Sequence, residues 1–246
     1  MNALGARRTL VTGASRPLGI ELVRQCLIRG DTVYASCRNP ARVPVLADLR
    51  AEFGGLELIA LDPADPASVA DAVPVLESLT DSLDLLVLAP AEDGPHERPK
   101  DQARDAHLPT LTSTGLTEHY RRHAVAPVLL ARTLLPWLAR GEGARVLMVS
   151  TSEGSLTEKI SGGAYAQSAS AAGLHMLTRT LAHDLAEEQI VVCLGNGGVI
   201  DKSAEDAGES PLQLEDIALG LLMQCERLPR QRSGHFVDWT GAERAW

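Results

Sequence analysis

Leu10-Val11-Thr12-Gly13-Ala14-Ser15-Arg16-Pro17-Leu18-Gly19-Ile20 is the stretch on which the fold turns. The apolar pair Leu10 and Val11 reads as the end of a buried strand. Residues 20–28 read as a helix with Leu22, Val23, Cys26 and Leu27 on its apolar side. A turn of small residues lies between them. Strand, glycine turn and helix N-terminus, in that order, bring free backbone N–H groups and the positive end of a helix dipole to one point. A pyrophosphate fits such a point. Many strand–helix turns nevertheless bind nothing, so the surrounding chain has to decide.

The surrounding chain repeats the same unit. Apolar strands are expected at 31–37, 56–61, 83–88, 144–150 and 190–194, with a short closing strand in the tail 233–246. Helices are expected at 41–53 (broken near Pro44), 66–80, 117–138 and 163–187. Leu83-Asp84-Leu85-Leu86-Val87-Leu88 is a nearly continuous apolar run, as in a parallel strand buried on both faces. Strands alternating with helices at this spacing specify a doubly wound α/β sheet of about seven parallel strands with helices on both faces. Residues 92–113 are polar and aperiodic. They are either a ligand-side loop at the carboxyl edge of the sheet or an exposed insertion.

Composition agrees with one such domain spanning residues 1–246. The chain has 246 residues with 45% hydrophobic content, enough for a full core, although aromatics are only 3% and leave aliphatic side chains to build it. A net charge of −9 argues against nucleic-acid or anionic-membrane partners. No run of 18 apolar residues and no leader segment is visible, so a cytoplasmic protein is expected. The four cysteines, Cys26, Cys37, Cys193 and Cys225, lack metal-ligand spacing and read as buried thiols.

The pattern Thr12-Gly13-x-x-x-Pro17-x-Gly19 resembles the glycine motif of the short-chain dehydrogenases/reductases, with Pro17 in place of the middle glycine. The tail Ser233–Trp246 is similar to the ending of a subgroup related to the bacterial C-factor proteins, so the resemblance runs from about residue 8 to the last. It implies a Rossmann fold and a dinucleotide site. Thr12, Gly13, Ser15, Arg16 and Gly19 would face the adenosine half, with Asp62 beside the adenine or capping the following helix. At the end of the second strand a carboxylate favours NAD and an arginine favours the 2′-phosphate of NADP. Cys37 takes the acidic position and Arg38 follows, an NADP-type pattern set against a plain solvated arginine.

In that family the chemistry belongs to Asn, Ser, Tyr and Lys. The tyrosine exchanges a proton with the substrate oxygen, and the lysine one helical turn later lowers the phenol pKa and binds the nicotinamide ribose. Aligning Gly162-Gly163-Ala164-Tyr165-Ala166-Gln167-Ser168-Ala169-Ser170-Ala171-Ala172 on the family pattern puts Gln167 in the tyrosine slot and Ala171 in the lysine slot. Thr151 takes the serine slot and His123 the asparagine slot. The Asn-Asn-Ala-Gly segment reads Leu88-Ala89-Pro90-Ala91, and Asp201 stands where a threonine follows the sixth strand. An amide cannot do acid–base work near neutral pH, and an alanine supplies no cation. His123 is either a structural histidine or an ionisable group at the site.

A retained adenosine half and a dismantled redox half imply weak NADP binding, or none. Three readings follow. One is a non-catalytic subunit pairing through helices 117–138 and 163–187 with itself or with an active homologue, Val125, Val128, Leu129, Leu174 and Leu177 supplying the apolar surface. Another is a cyclase, lyase or isomerase that reuses the cleft through His123, Thr151, Tyr165 and Gln167. The last is an NADP-dependent carbonyl reductase with a non-standard proton donor.

Overall fold

The computed structural model describes residues 6–89, 107–198 and 214–246. Strands β1 (Arg8–Val11), β2 (Thr32–Cys37), β3 (Leu56–Ala60), β4 (Leu85–Leu88), β5 (Arg145–Ser150), β6 (Val191–Asn196) and β7 (Phe236–Asp238) form one sheet in the order β3-β2-β1-β4-β5-β6-β7. All neighbours are parallel, as the alternation of elements requires. The order reverses between β1 and β4. There the connecting chains leave on opposite sides and open a crevice at the carboxyl edge.

Each strand splits its side chains between two cores because successive residues point to opposite faces. Leu10, Leu86, Leu88, Val146, Met148, Val192 and Leu194 meet α3 (Pro66–Leu79), α5 (Ala126–Thr133), α6 (Leu135–Ala139) and α7 (Tyr165–Asp184). Val11, Leu85, Val87, Leu147, Val149, Val191 and Cys193 meet α1 (Pro17–Ile28), α2 (Pro44–Phe53) and α8 (Leu214–Arg227). Leu22, Val23, Cys26 and Leu27 form the buried side of α1, as their spacing predicts. All four cysteines are buried and free. Among the described residues no helix is long and apolar enough to cross a membrane.

Three expectations are corrected. The helix expected at 117–138 is not continuous: α4 (Ser113–Tyr120) runs into a π turn at Arg121–Val125, then α5, then α6 after a break at Leu134. Pro127 and Pro136 explain this, since neither can donate to the carbonyl four residues back and each ring crowds the preceding turn. The helix expected at 163–187 begins only at Tyr165, because Gly163 and Ala164 adopt φ of +85° and +51°. Helix α8 was not anticipated from sequence, although Ile217, Leu221 and Cys225 repeat at helical spacing along its buried side.

Of the five positions expected on an intersubunit face, Leu174 is buried in the core and Val125, Val128 and Leu177 are partly buried. Leu129 remains exposed, together with Tyr120 and Met176 on neighbouring turns.

Candidate functional site

The turn after β1 is held from three sides. The Thr12 amide donates to the Val87 carbonyl at 2.9 Å, the Ala14 amide to Ser36 at 3.1 Å and the Arg16 amide to Gly13 at 3.0 Å. The Thr12 hydroxyl reaches the Ala89 carbonyl at 3.3 Å, tying the ends of β1 and β4 across the crevice. Gly13 turns the chain with φ of +67°, a conformation that favours glycine. Gly19 lets α1 lie directly on that turn, for a Cβ there would stand 2.1 Å from the Gly13 carbonyl oxygen. Pro17 opens α1, where a missing N–H breaks no helical bond.

Ser15 is exposed and Arg16 half-buried at the entry to α1, while Arg38 is exposed immediately beyond β2. Asp62 follows β3. The carboxyl ends of three neighbouring strands thus carry every residue assigned to the adenosine half. The capping alternative for Asp62 is corrected, because Asp65 caps α3 by accepting from the Ala67 amide at 3.0 Å. Asp62 instead shapes the β3–α3 turn, accepting from the Ala64 amide at 2.9 Å.

The opposite side of the crevice is built on β5, the π turn and α7. Thr151 follows β5 and caps the short turn Ser152–Gly154, its Oγ1 accepting from the Glu153 amide at 3.1 Å. That turn packs backbone against backbone on α7: a Cβ on Gly154 would fall 2.7 Å from the carbonyl carbon of Ala171. Ala171 is buried, Gln167 half-buried one turn earlier, and Tyr165 38% exposed at the start of the helix.

His123 lies in the π turn, its ring 4.1 Å from that of His119. His119 Nδ1 and Ser170 Oγ are 2.8 Å apart, and the Ser170 hydroxyl also lies 3.0 Å from the Gln167 carbonyl, so the end of α4 is fastened to α7 beside Gln167. Burial, followed by the neighbouring His119 and Arg122, pulls the His123 pKa down to about 3. His123 is therefore a neutral imidazole near pH 7.

The helix α7 packs against both the 152–154 turn and the π turn. The elements that carry Thr151, His123, Gln167 and Ala171 are thus in contact with one another through α7. Pro90, Ala91, residues 92–106 and Asp201 lie outside the described residues.

Sequence reasoning missed several polar groups here. Glu153 accepts from Lys159 at 2.7 Å and lies 3.4 Å from the Ser168 hydroxyl, on the rim between the Thr151 and Gln167 slots. Ser150 Oγ lies 2.9 Å from His175 Nε2, both buried beneath that rim. The spacing of His119 and His123, one helical turn apart, was the one visible signal.

Comparison with known proteins agrees with this architecture. Residues 7–210 match the short chain dehydrogenase family. The C-signal protein of Myxococcus xanthus is 34% identical over 126 residues, covering 50% of this chain and 74% of that protein. An NADPH-bound carbonyl reductase from chicken fatty liver superposes with a TM-score of 0.84 at 28% identity, covering 99% of this chain and 100% of that one. A carbonyl reductase from Pseudomonas aeruginosa in complex with NADP gives a TM-score of 0.81 at 25% identity over 98% of this chain and 100% of that one. With its reversed strand order, its glycine turn at the switch point and a family match over most of its length, the chain belongs to the short-chain dehydrogenase family of oxidoreductases.

Proposed function

We propose that this chain, acting as a single domain over residues 1–246, is a catalytically degenerate member of its family: a non-catalytic subunit that partners an active homologue. The observation that carries the reading is the composition of the α7 wall. Gln167 and Ala171 occupy the proton-donor and cation slots, Ala171 is packed against the Gly154 turn, and His123 is held neutral. No side chain of the four slots gains or loses a proton near pH 7.

NADP, the cofactor of the solved carbonyl reductases, fits one half of the crevice. The positive-φ turn at Gly13, ahead of the N-terminus of α1, supports a pyrophosphate contact, and the exposed Arg38 just beyond β2 supports a 2′-phosphate contact. When bound in an active relative, NADPH supplies the hydride for carbonyl reduction. Here Ala171 holds no ribose and Gln167 delivers no proton, so binding is weak, runs through the adenosine half, and is indifferent to nicotinamide redox state. The exposed Tyr120, Leu129 and Met176 on α4, α5 and α7 support a helix-to-helix partner face.

The test is the purified chain, free of homologues, with NADPH and NADH across a panel of ketones. Background turnover is expected: loss of general acid catalysis removes about a hundred- to ten-thousand-fold, and loss of cofactor positioning removes more. Robust turnover abolished by Thr151→Val or His123→Ala would instead establish a reductase with a non-standard donor. A stable monomer in sedimentation, with or without an added active homologue, would remove the subunit reading. The Glu153–Lys159 pair at the rim supports a second reading, a cyclase, lyase or isomerase reusing the cleft. Cofactor-independent turnover lost in Glu153→Gln is its signature.

A further inference from the structure

The rim of the cleft is the segment that joins the Thr151 slot on β5 to the Gln167 slot on α7. Its ends are fixed: the 152–154 turn packs on α7, and the left-handed Gly163–Ala164 pair starts the helix. Its middle displays Leu156 and Ile160 to solvent, 82% and 96% exposed, and buries almost none of their apolar surface. Within it the Glu158 amide donates to the Ser155 hydroxyl at 3.1 Å and Lys159 pairs with Glu153 at 2.7 Å, while its apolar side chains add little to hold it in place.

The chain beyond β7 supplies the restraint. Thr157 donates twice to the main-chain oxygen of Trp246, through its amide at 2.9 Å and its hydroxyl at 2.7 Å. Arg244 forms an ion pair with Glu158 on the same segment. The tail is itself anchored. The Arg244 amide donates to the Phe236 carbonyl at 2.9 Å and Val237 bridges Glu243. The Trp246 ring sits 5.0 Å from the Arg179 guanidinium and 6.1 Å from the rings of His175 and Phe236. His175 in turn meets Ser150, the residue before Thr151.

We propose that the tail Trp239–Trp246 is a strap that sets the position of the rim segment Ser155–Ala164, and through it the width of the cleft between the Thr151 and Gln167 slots. The strap works from outside, by two hydrogen bonds, one ion pair and an anchoring indole. Release of the strap frees the rim without unfolding the sheet. This inference concerns the geometry of the cleft and does not rest on which chemistry, if any, the cleft performs.

The Thr157 amide reports the strap directly, because its acceptor is the strap itself. In the full chain, hydrogen exchange at Thr157 is compared with exchange at Thr12, whose amide bonds Val87 between β1 and β4 at the middle of the sheet. Trp246→Ala removes the indole anchor, and Arg244→Gln removes only the ion pair to Glu158. The strap predicts Thr157 exchange faster by about tenfold or more in Trp246→Ala, a smaller acceleration in Arg244→Gln, and Thr12 unchanged. A spin label at Ile160→Cys, selective because the native thiols are buried, gains mobility in the same order. Unchanged Thr157 exchange in both variants overturns the proposal. So does equal acceleration at Thr157 and Thr12, since the tail would then be only a part of the global fold. Should Trp246→Ala fail to fold, Arg244→Gln alone decides between these outcomes.

Discussion

Gly19→Ala puts the nucleotide turn to a quantitative test. A Cβ at this position would lie 2.1 Å from the Gly13 carbonyl oxygen and 2.7 Å from its carbon, about 0.9 Å inside the 3.0 Å limit that real contacts respect. The obstructing atoms are main chain, so no rotamer change relieves the clash. The turn cannot retreat either, because the Thr12, Ala14 and Arg16 amides bind it to β4, to β2 and to itself. Overpacking a tight site costs about 1–3 kcal/mol, and a backbone obstacle places this case at the upper end. Alanine recovers about 1 kcal/mol over glycine inside a helix, leaving a net loss of about 2 kcal/mol. For a chain of this size each kcal/mol moves the melting temperature by about 2–4 °C, so calorimetry should show a fall of about 4–8 °C. Gly162→Ala is the control. Nothing lies within 4 Å of its Cβ position, and it should stay within about 0.5 kcal/mol of the parent. Under the proposed role of this turn as a pyrophosphate cradle, adenosine 2′,5′-bisphosphate should weaken about tenfold or more in Gly19→Ala. A Gly19→Ala protein that melts within about 1 °C of the parent and binds the probe unchanged would refute the close approach of α1 to the turn.

Three further outcomes concern Arg38 and His123. Arg38→Ala should weaken adenosine 2′,5′-bisphosphate by about tenfold while leaving adenosine monophosphate nearly unaffected in titration calorimetry; equal loss for both makes Arg38 a surface residue only. His123 should show no imidazole titration between pH 5 and 8 by NMR. Its folded pKa is lowered from 6.5 to about 3, so the unfolded chain takes up the proton first. Its contribution is therefore neutral to stability above pH 6.5 and increasingly destabilising as pH falls from there toward 3. His123→Asn should make the acid limb of the urea-unfolding profile shallower, not flat, since buried His175, lowered to about 4, acts in the same direction. A His123 midpoint near its ordinary value would contradict the desolvation of its ring.

The sequence by itself determined the architecture and the strand–turn–helix unit at the crevice. Buried strands, glycine turn and helices recur along it with a period that only a doubly wound sheet satisfies. Both the strand register and the small residues of the Thr12–Gly19 turn are local properties, set by side-chain alternation and by φ. The positions of Thr151, Gln167 and Ala171 relative to the glycines at 154 and 162–163 were legible for the same reason. Tertiary structure decided what depends on contacts between distant residues. The π turn at Arg121–Val125 arises where Pro127 deprives the His123 carbonyl of its helical donor. The His119–Ser170 bond at the end of α4, and the neutral His123 within the turn, belong to the packed chain. The grip of Trp246 on Thr157 joins residues 89 positions apart, and no periodicity in either segment encodes it. Burial and pairing across such separations are properties of the packed chain, because each depends on which surfaces the sheet brings together.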